Sequence, residues 1–135
     1  MRQQLILPTV LLALALASCK HDADLPQARC YAGVVVGGTC YDGLLINVDA
    51  QYALGKPVGY GFSLYDPAGI QNQHVIGALN SRELAAFTVG QRIYFTSAKD
   101  TTGNANFGPC PANGIPLPVP HVVLTGFSAS PCAGN

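Results

Sequence analysis

CYAGVVVGGTCYDGLLINVD, residues 30–49, reads as the first two strands of a β-rich domain. Two β-favouring runs, YAGVVV and YDGLLINV, flank Gly37 and Gly38, a pair that tolerates the positive φ of a tight hairpin. The pattern predicts one strand over 30–37 and a second over 40–48.

Beyond this hairpin, AQYALGKPVGYGFSLYDPAGIQNQ (50–73) is rich in Gly, Pro and Tyr and reads as a long connection. It has room for a short strand at GYGFSLY (59–65) and a turn at Asp66, Pro67, Ala68 and Gly69. HVIGALN (74–80) predicts a third strand. Ser81 can cap a short helix, SRELAAF (81–87), built from good helix formers. QRIYFTSA (91–98) alternates Ile93 and Phe95 on one face and predicts a fourth strand. TTGNANFGPCPANGIPLPVP (101–120) is too rich in Gly and Pro for regular structure, and HVVLTGFSA (121–129) supplies the fifth strand. The expectation is an all-β domain.

Five strands with a short helix between the third and fourth resemble the OB-fold, a small five-stranded Greek-key barrel. VGQRIYF (89–95) also looks like the start of that fold's fourth strand. If GYGFSLY is a full strand, a β-sandwich or a six-stranded barrel is the alternative.

Four cysteines, Cys30, Cys40, Cys110 and Cys132, fall in this β-rich region, and their spacing matches no paired zinc signature. An even count in an exported chain predicts two disulfides. Cys30 and Cys40 would stand at opposite ends of one strand, roughly 20 Å apart at about 3.3 Å per residue, too far for a bridge. That excludes Cys30 with Cys40 and Cys110 with Cys132. In an alternating barrel the first strand starts where the fourth ends, and the second starts where the fifth ends. The expected pairs are therefore Cys30–Cys110 and Cys40–Cys132.

The N-terminus carries an address. Arg2, an apolar stretch from Leu5 to Leu16 and small residues ahead of Cys19 have the three-part layout of a secretory signal. The apolar stretch is shorter than the roughly 20 residues that span a bilayer and is interrupted by Pro8. Leu16, Ala17, Ser18 and Cys19 resemble the lipobox of bacterial lipoproteins. That resemblance implies cleavage after Ser18 and acylation of Cys19 with palmitate-like chains. At about 0.8 kcal/mol per buried CH₂, several such chains hold a protein on a membrane. The reading divides the chain into a signal peptide (1–18), a lipid anchor and polar tether (19–29) and a disulfide-stabilised β-barrel domain (30–135). A lysine followed by acidic residues after the lipid cysteine also resembles the surface-export signal of Bacteroidota lipoproteins, although His21 and Ala23 interrupt the acidic run. Most of residues 30–132 resembles small uncharacterised envelope lipoproteins of Bacteroidota, in features such as Cys30 before the first strand, Cys40 opening the stretch with GLLINVD, and the late pair Cys110 and Cys132. The expected location is the bacterial outer membrane, on its periplasmic or outer face.

Taking residues 1–18 from 135 leaves 117, enough for one domain. Without Arg2, six Lys and Arg stand against seven Asp and Glu, and the basic residues are scattered singly. A nucleic-acid partner, which needs a basic face, is excluded. There is no G-x-S-x-G elbow, HExxH or phosphate loop, and no motif that implies a catalytic residue, a cofactor or a metal.

The acid and base candidates are His74, His121, Asp42, Asp49, Asp66 and Glu83. Both histidines open predicted strands, where they either satisfy local backbone groups or serve chemistry. Tyr52, Tyr60, Phe62 and Tyr65 cluster in the second connection, where their rings either hold a ligand or cover the open end of a barrel. GIPLPVP (114–120) is a stiff connector or a polyproline II face. The leading expectation is a membrane-anchored binding or accessory module for an envelope protein or a glycan. An envelope hydrolase or enzyme inhibitor, and a structural lipoprotein, are the alternatives.

Overall fold

The computed structural model describes residues 29–59, 62–67, 72–101, 110 and 114–133. The signal peptide, Cys19, the tether as far as residue 28, and Tyr60 lie outside the described residues. Six strands form one curled, half-barrel sheet: β1 (Tyr31–Thr39), β2 (Gly43–Val48), β3 (Val75–Ala78), β4 (Arg92–Phe95), β5 (Ser97–Asp100) and β6 (His121–Thr125). Their order across the sheet is β4-β1-β2-β3-β6-β5. All neighbours are antiparallel except β3 and β6, which run parallel with Gly77 opposite His121.

The domain is all-β, as the alternating apolar runs predict, but it has six strands rather than five. The expected fourth strand is divided. β4 pairs with β1 and β5 pairs with β6, with only Thr96 between them. After β6 the chain turns at Gly126 (φ 57°), and Ser128 exchanges two 2.8 Å backbone hydrogen bonds with Tyr94.

Successive residues of a strand point to opposite faces, and here both faces are covered. Val35, Ile46, Val48, Ile76, Ile93, Phe95 and Leu124 fill the inner core with Leu84. Val36, Leu45 and Val75 point the other way, against Val58, Leu117 and Val119. The proline-rich 114–120 segment is thus a second layer as well as a connector. Burying each such side chain contributes roughly 1.5–3 kcal/mol, so the outer layer matters to stability.

The hairpin turn is not at Gly37 and Gly38. β1 continues through both to Thr39, with an irregularity in its pairing to β2 between Val35 and Gly37. The chain reverses at Cys40–Asp42, where Asp42 N–H donates to Thr39 Oγ1 (2.9 Å) and the Thr39 hydroxyl donates to Asp42 Oδ2 (2.5 Å). These side-chain bonds favour a turn here. Gly43 (φ 69°) takes the left-handed conformation that leads into β2.

The expected helix at SRELAAF is a run of turns. Glu83 N–H and Leu84 N–H both reach Asn80 O (3.0 and 3.3 Å), and Phe87 N–H reaches Leu84 O (2.9 Å). Asn80, not Ser81, holds the segment. Its Oδ1 accepts Leu124 N–H (3.1 Å), and its Nδ2 donates to Leu124 O (3.0 Å) and Glu83 Oε2 (2.8 Å). Two turns are too short to sustain a helix by propensity against such fixed ends. The regular helix among the described residues is one 3₁₀ turn, Ala50–Tyr52. The described part of GYGFSLY, residues 59 and 62–65, is irregular, so the sixth strand comes from the division at Thr96.

Two disulfides form, but neither pairs as expected. They join Cys30 to Cys132 and Cys40 to Cys110, with Cα atoms 5.8 and 5.6 Å apart. The exclusion of Cys30–Cys40 holds. The remaining choice failed because β4 does not lead directly to Cys110. After Thr96 the chain follows β6 instead, while the return past Gly126 lays Ser128 beside Tyr94. Tyr31 pairs with Phe95, so the C-terminal segment arrives at the start of β1 and Cys132 meets Cys30. Residues 114–117 are tied to the β1–β2 turn. Gly114 N–H donates to Tyr41 Oη (3.1 Å) and Leu117 N–H to Asp42 Oδ1 (2.9 Å), which brings Cys110 to Cys40.

Candidate functional site

The outer layer leaves a groove of about 370 Å³ over β1 and β2. Val34, Val36 and Asn47 come from the sheet, Tyr65 and Pro67 from the crossing loop, and Asn72 and His74 from the approach to β3. Tyr65 N–H donates to Val36 O (2.8 Å), which pins the loop across β1. Its ring is 42% exposed and lies over Gly90, where an added Cβ would meet it at 3.2 Å.

The groove's amides are oriented by the fold. Asn47 Oδ1 accepts His74 N–H (3.0 Å), and Asn47 Nδ2 makes no hydrogen bond among the described residues. Asn72 is 8% exposed, and its Nδ2 makes a long 3.5 Å bond to Tyr65 O. Asn72 Oδ1 and the His74 imidazole make no hydrogen bond among the described residues. The groove therefore offers an amide donor, an amide acceptor and an imidazole beside aliphatic and aromatic surface.

Asp49, at the edge, is engaged by Arg92, whose guanidinium holds both carboxylate oxygens. That hydrogen bonding, outweighing burial and aided by Tyr94, raises the guanidinium above its usual pKa. Arg92 also donates from Nε to Tyr94 Oη (3.2 Å) and stands 5.5 Å from the ring centre.

The expected aromatic cluster separates. Tyr52 packs edge-on to Tyr31 (5.2 Å) against the inner core, and Tyr31 stacks on Phe95 (5.3 Å). Phe62 is 53% exposed, and of the described rings of the cluster only Tyr65 lines the groove. Asn47 and Asn72 were not among the sequence candidates. Asn47 interrupts the apolar run GLLINV on its outward face, and that polar interruption was the available signal.

Two other candidates come together in the interior. His121 Nε2 lies 2.7 Å from Asp42 Oδ1, with the residues 4% and 1% exposed. A carboxylate only accepts, so Nε2 carries the proton. The pair fits over Gly77, where a Cβ would stand 2.7 Å from Asp42 O and 3.0 Å from His121 Cδ2. Such burial suits a structural tie between the β1–β2 turn and β6. His121 also borders a cleft of about 480 Å³ with Lys56, Asp100 and Pro116–Pro120. Among the described residues no group of three or more His, Cys, Asp or Glu could hold a metal, and no helix is long and apolar enough to cross a membrane.

Comparison with protein-family models, curated proteins and solved structures finds no match to this chain.

Proposed function

We propose that the protein is a lipid-anchored binding module of the bacterial cell envelope. Its ligand, an envelope glycan or protein, sits in the groove between β1–β2 and the Tyr65 loop. The observation that carries the reading is the pair of amides, Asn47 and Asn72, each oriented by one hydrogen bond and lining the same groove as the exposed Tyr65: concave sites of this kind combine apolar walls with a few fixed polar groups. The layout of residues 1–20, an apolar stretch followed by Leu16, Ala17, Ser18 and Cys19, supports cleavage before Cys19 and acylation of its thiol. The tether would then hold the groove away from the lipid.

The OB-like reading of the barrel belongs to the same proposal. Counting β4 and β5 as one strand bent at Thr96 leaves five strands, with the third parallel to the last. The 81–87 turns then carry Leu84 into the inner core from the position where that fold has its helix.

The test is crosslinking in intact cells expressing the tagged full-length chain, followed by purification in detergent. Wild type should retain an envelope component that both Cys19→Ala and Tyr65→Ser lose. Equal recovery from all three would contradict the proposal.

A further inference from the structure

We infer that the groove takes a neutral saccharide residue. This rests on the binding-module reading and narrows its ligand. The first ground is size: about 370 Å³ lies at the small end of the roughly 300–1,000 Å³ of ligand sites, which suits one or two rings. The second is polarity. Asn47 Nδ2 donates, Asn72 Oδ1 accepts, and the His74 imidazole adds a third polar group. Sugar hydroxyls both donate and accept, and can satisfy all three. The third is surface. Val34 and the exposed Tyr65 offer apolar surface to the C–H face of a pyranose, and an aromatic side chain does so at low entropic cost.

Charge and topology separate this ligand from others. Among the described residues that line the groove, Asp49 is already paired with Arg92 and none is Lys or Arg, so no cation there is placed to hold an anionic sugar. An extended peptide would gain most by adding to a strand edge. β1 and β2 are interior strands, each paired on both sides, and offer none beneath the groove.

The experiment uses the full chain purified in a detergent without a sugar headgroup. Chitotriose and cellotriose are titrated by calorimetry and by saturation-transfer NMR, with trigalacturonate as the anionic counterpart. A neutral trisaccharide should bind with a Kd of about 1 mM or tighter. Asn47→Asp keeps the acceptor for His74 N–H but removes the donor, and should weaken binding at least about tenfold, as should Tyr65→Ser. Tyr65→Phe should retain most of the affinity, with melting temperatures showing that all three variants fold. Neither neutral sugar binding, or trigalacturonate binding more tightly, overturns the inference. If the sugars fail while Tyr65→Ser still abolishes capture of an envelope protein, the saccharide is wrong and the binding module stands. If both fail, both are wrong.

Discussion

His121 Nε2 donates to Asp42 Oδ1 over 2.7 Å, joining residues 79 apart in sequence. The same carboxylate oxygen accepts Leu117 N–H, and its partner oxygen accepts the Thr39 hydroxyl. One buried carboxylate thus fastens the hairpin turn, the outer layer and the first residue of β6. Removing one side of such a pair leaves a buried polar group unsatisfied. Asp42→Ala should cost about 3–5 kcal/mol by urea denaturation. A loss below about 1 kcal/mol would mean that this tie is not formed.

The disulfide pairing can be read directly. Peptide mapping without reduction should yield Cys30 joined to Cys132 and Cys40 joined to Cys110. The bridges close separations of 102 and 70 residues. Removing either pair should cost up to about 4–5 kcal/mol in the chain-entropy account.

Two glycines separate backbone demand from mere composition. Gly43 has φ 69°, and an added Cβ would stand 2.1 Å from Ala78 O. At Gly59 no described residue other than its chain neighbours comes within 4 Å of that position. Gly43→Ala should destabilise by more than about 2 kcal/mol, whereas Gly59→Ala should stay within about 0.5 kcal/mol. Thermal melts of the two variants provide the comparison.

The Arg92–Asp49 pair is exposed, with side chains 45% and 29% accessible, so Arg92→Met should cost no more than about 1 kcal/mol. Asp49 raises the guanidinium's pKa, so its contribution is complete below the unfolded-state value and is lost only as pH rises through the higher folded value. The stability difference between wild type and Arg92→Met should therefore be the same at about pH 6 and about pH 9. A difference that vanishes at about pH 9 would contradict this.

The strands were legible because their apolar runs alternate or are β-branched, and because few other local conformations suit them. Their connections were less so. Gly37 and Gly38 resemble a turn in isolation, yet the Thr39 and Asp42 side chains move the turn onward. SRELAAF has helical composition, yet Asn80 is committed to the backbone of Leu124, 44 residues away. The disulfide pairing depended on the division at Thr96 and the return of Ser128 to Tyr94, both non-local pairings that no local pattern encodes. The groove was half legible: Tyr65 stood out as an aromatic in a loop, whereas Asn47 and Asn72 acquire meaning only once the outer layer is packed.

Anchoring is the claim on which the cellular role depends, and the intact mass of the detergent-extracted protein tests it most directly. The expected mass is that of a chain that begins at Cys19 and carries acyl chains on that residue, with Cys19→Ala lacking them. A chain that begins elsewhere, or one that bears an unmodified Cys19, would contradict it.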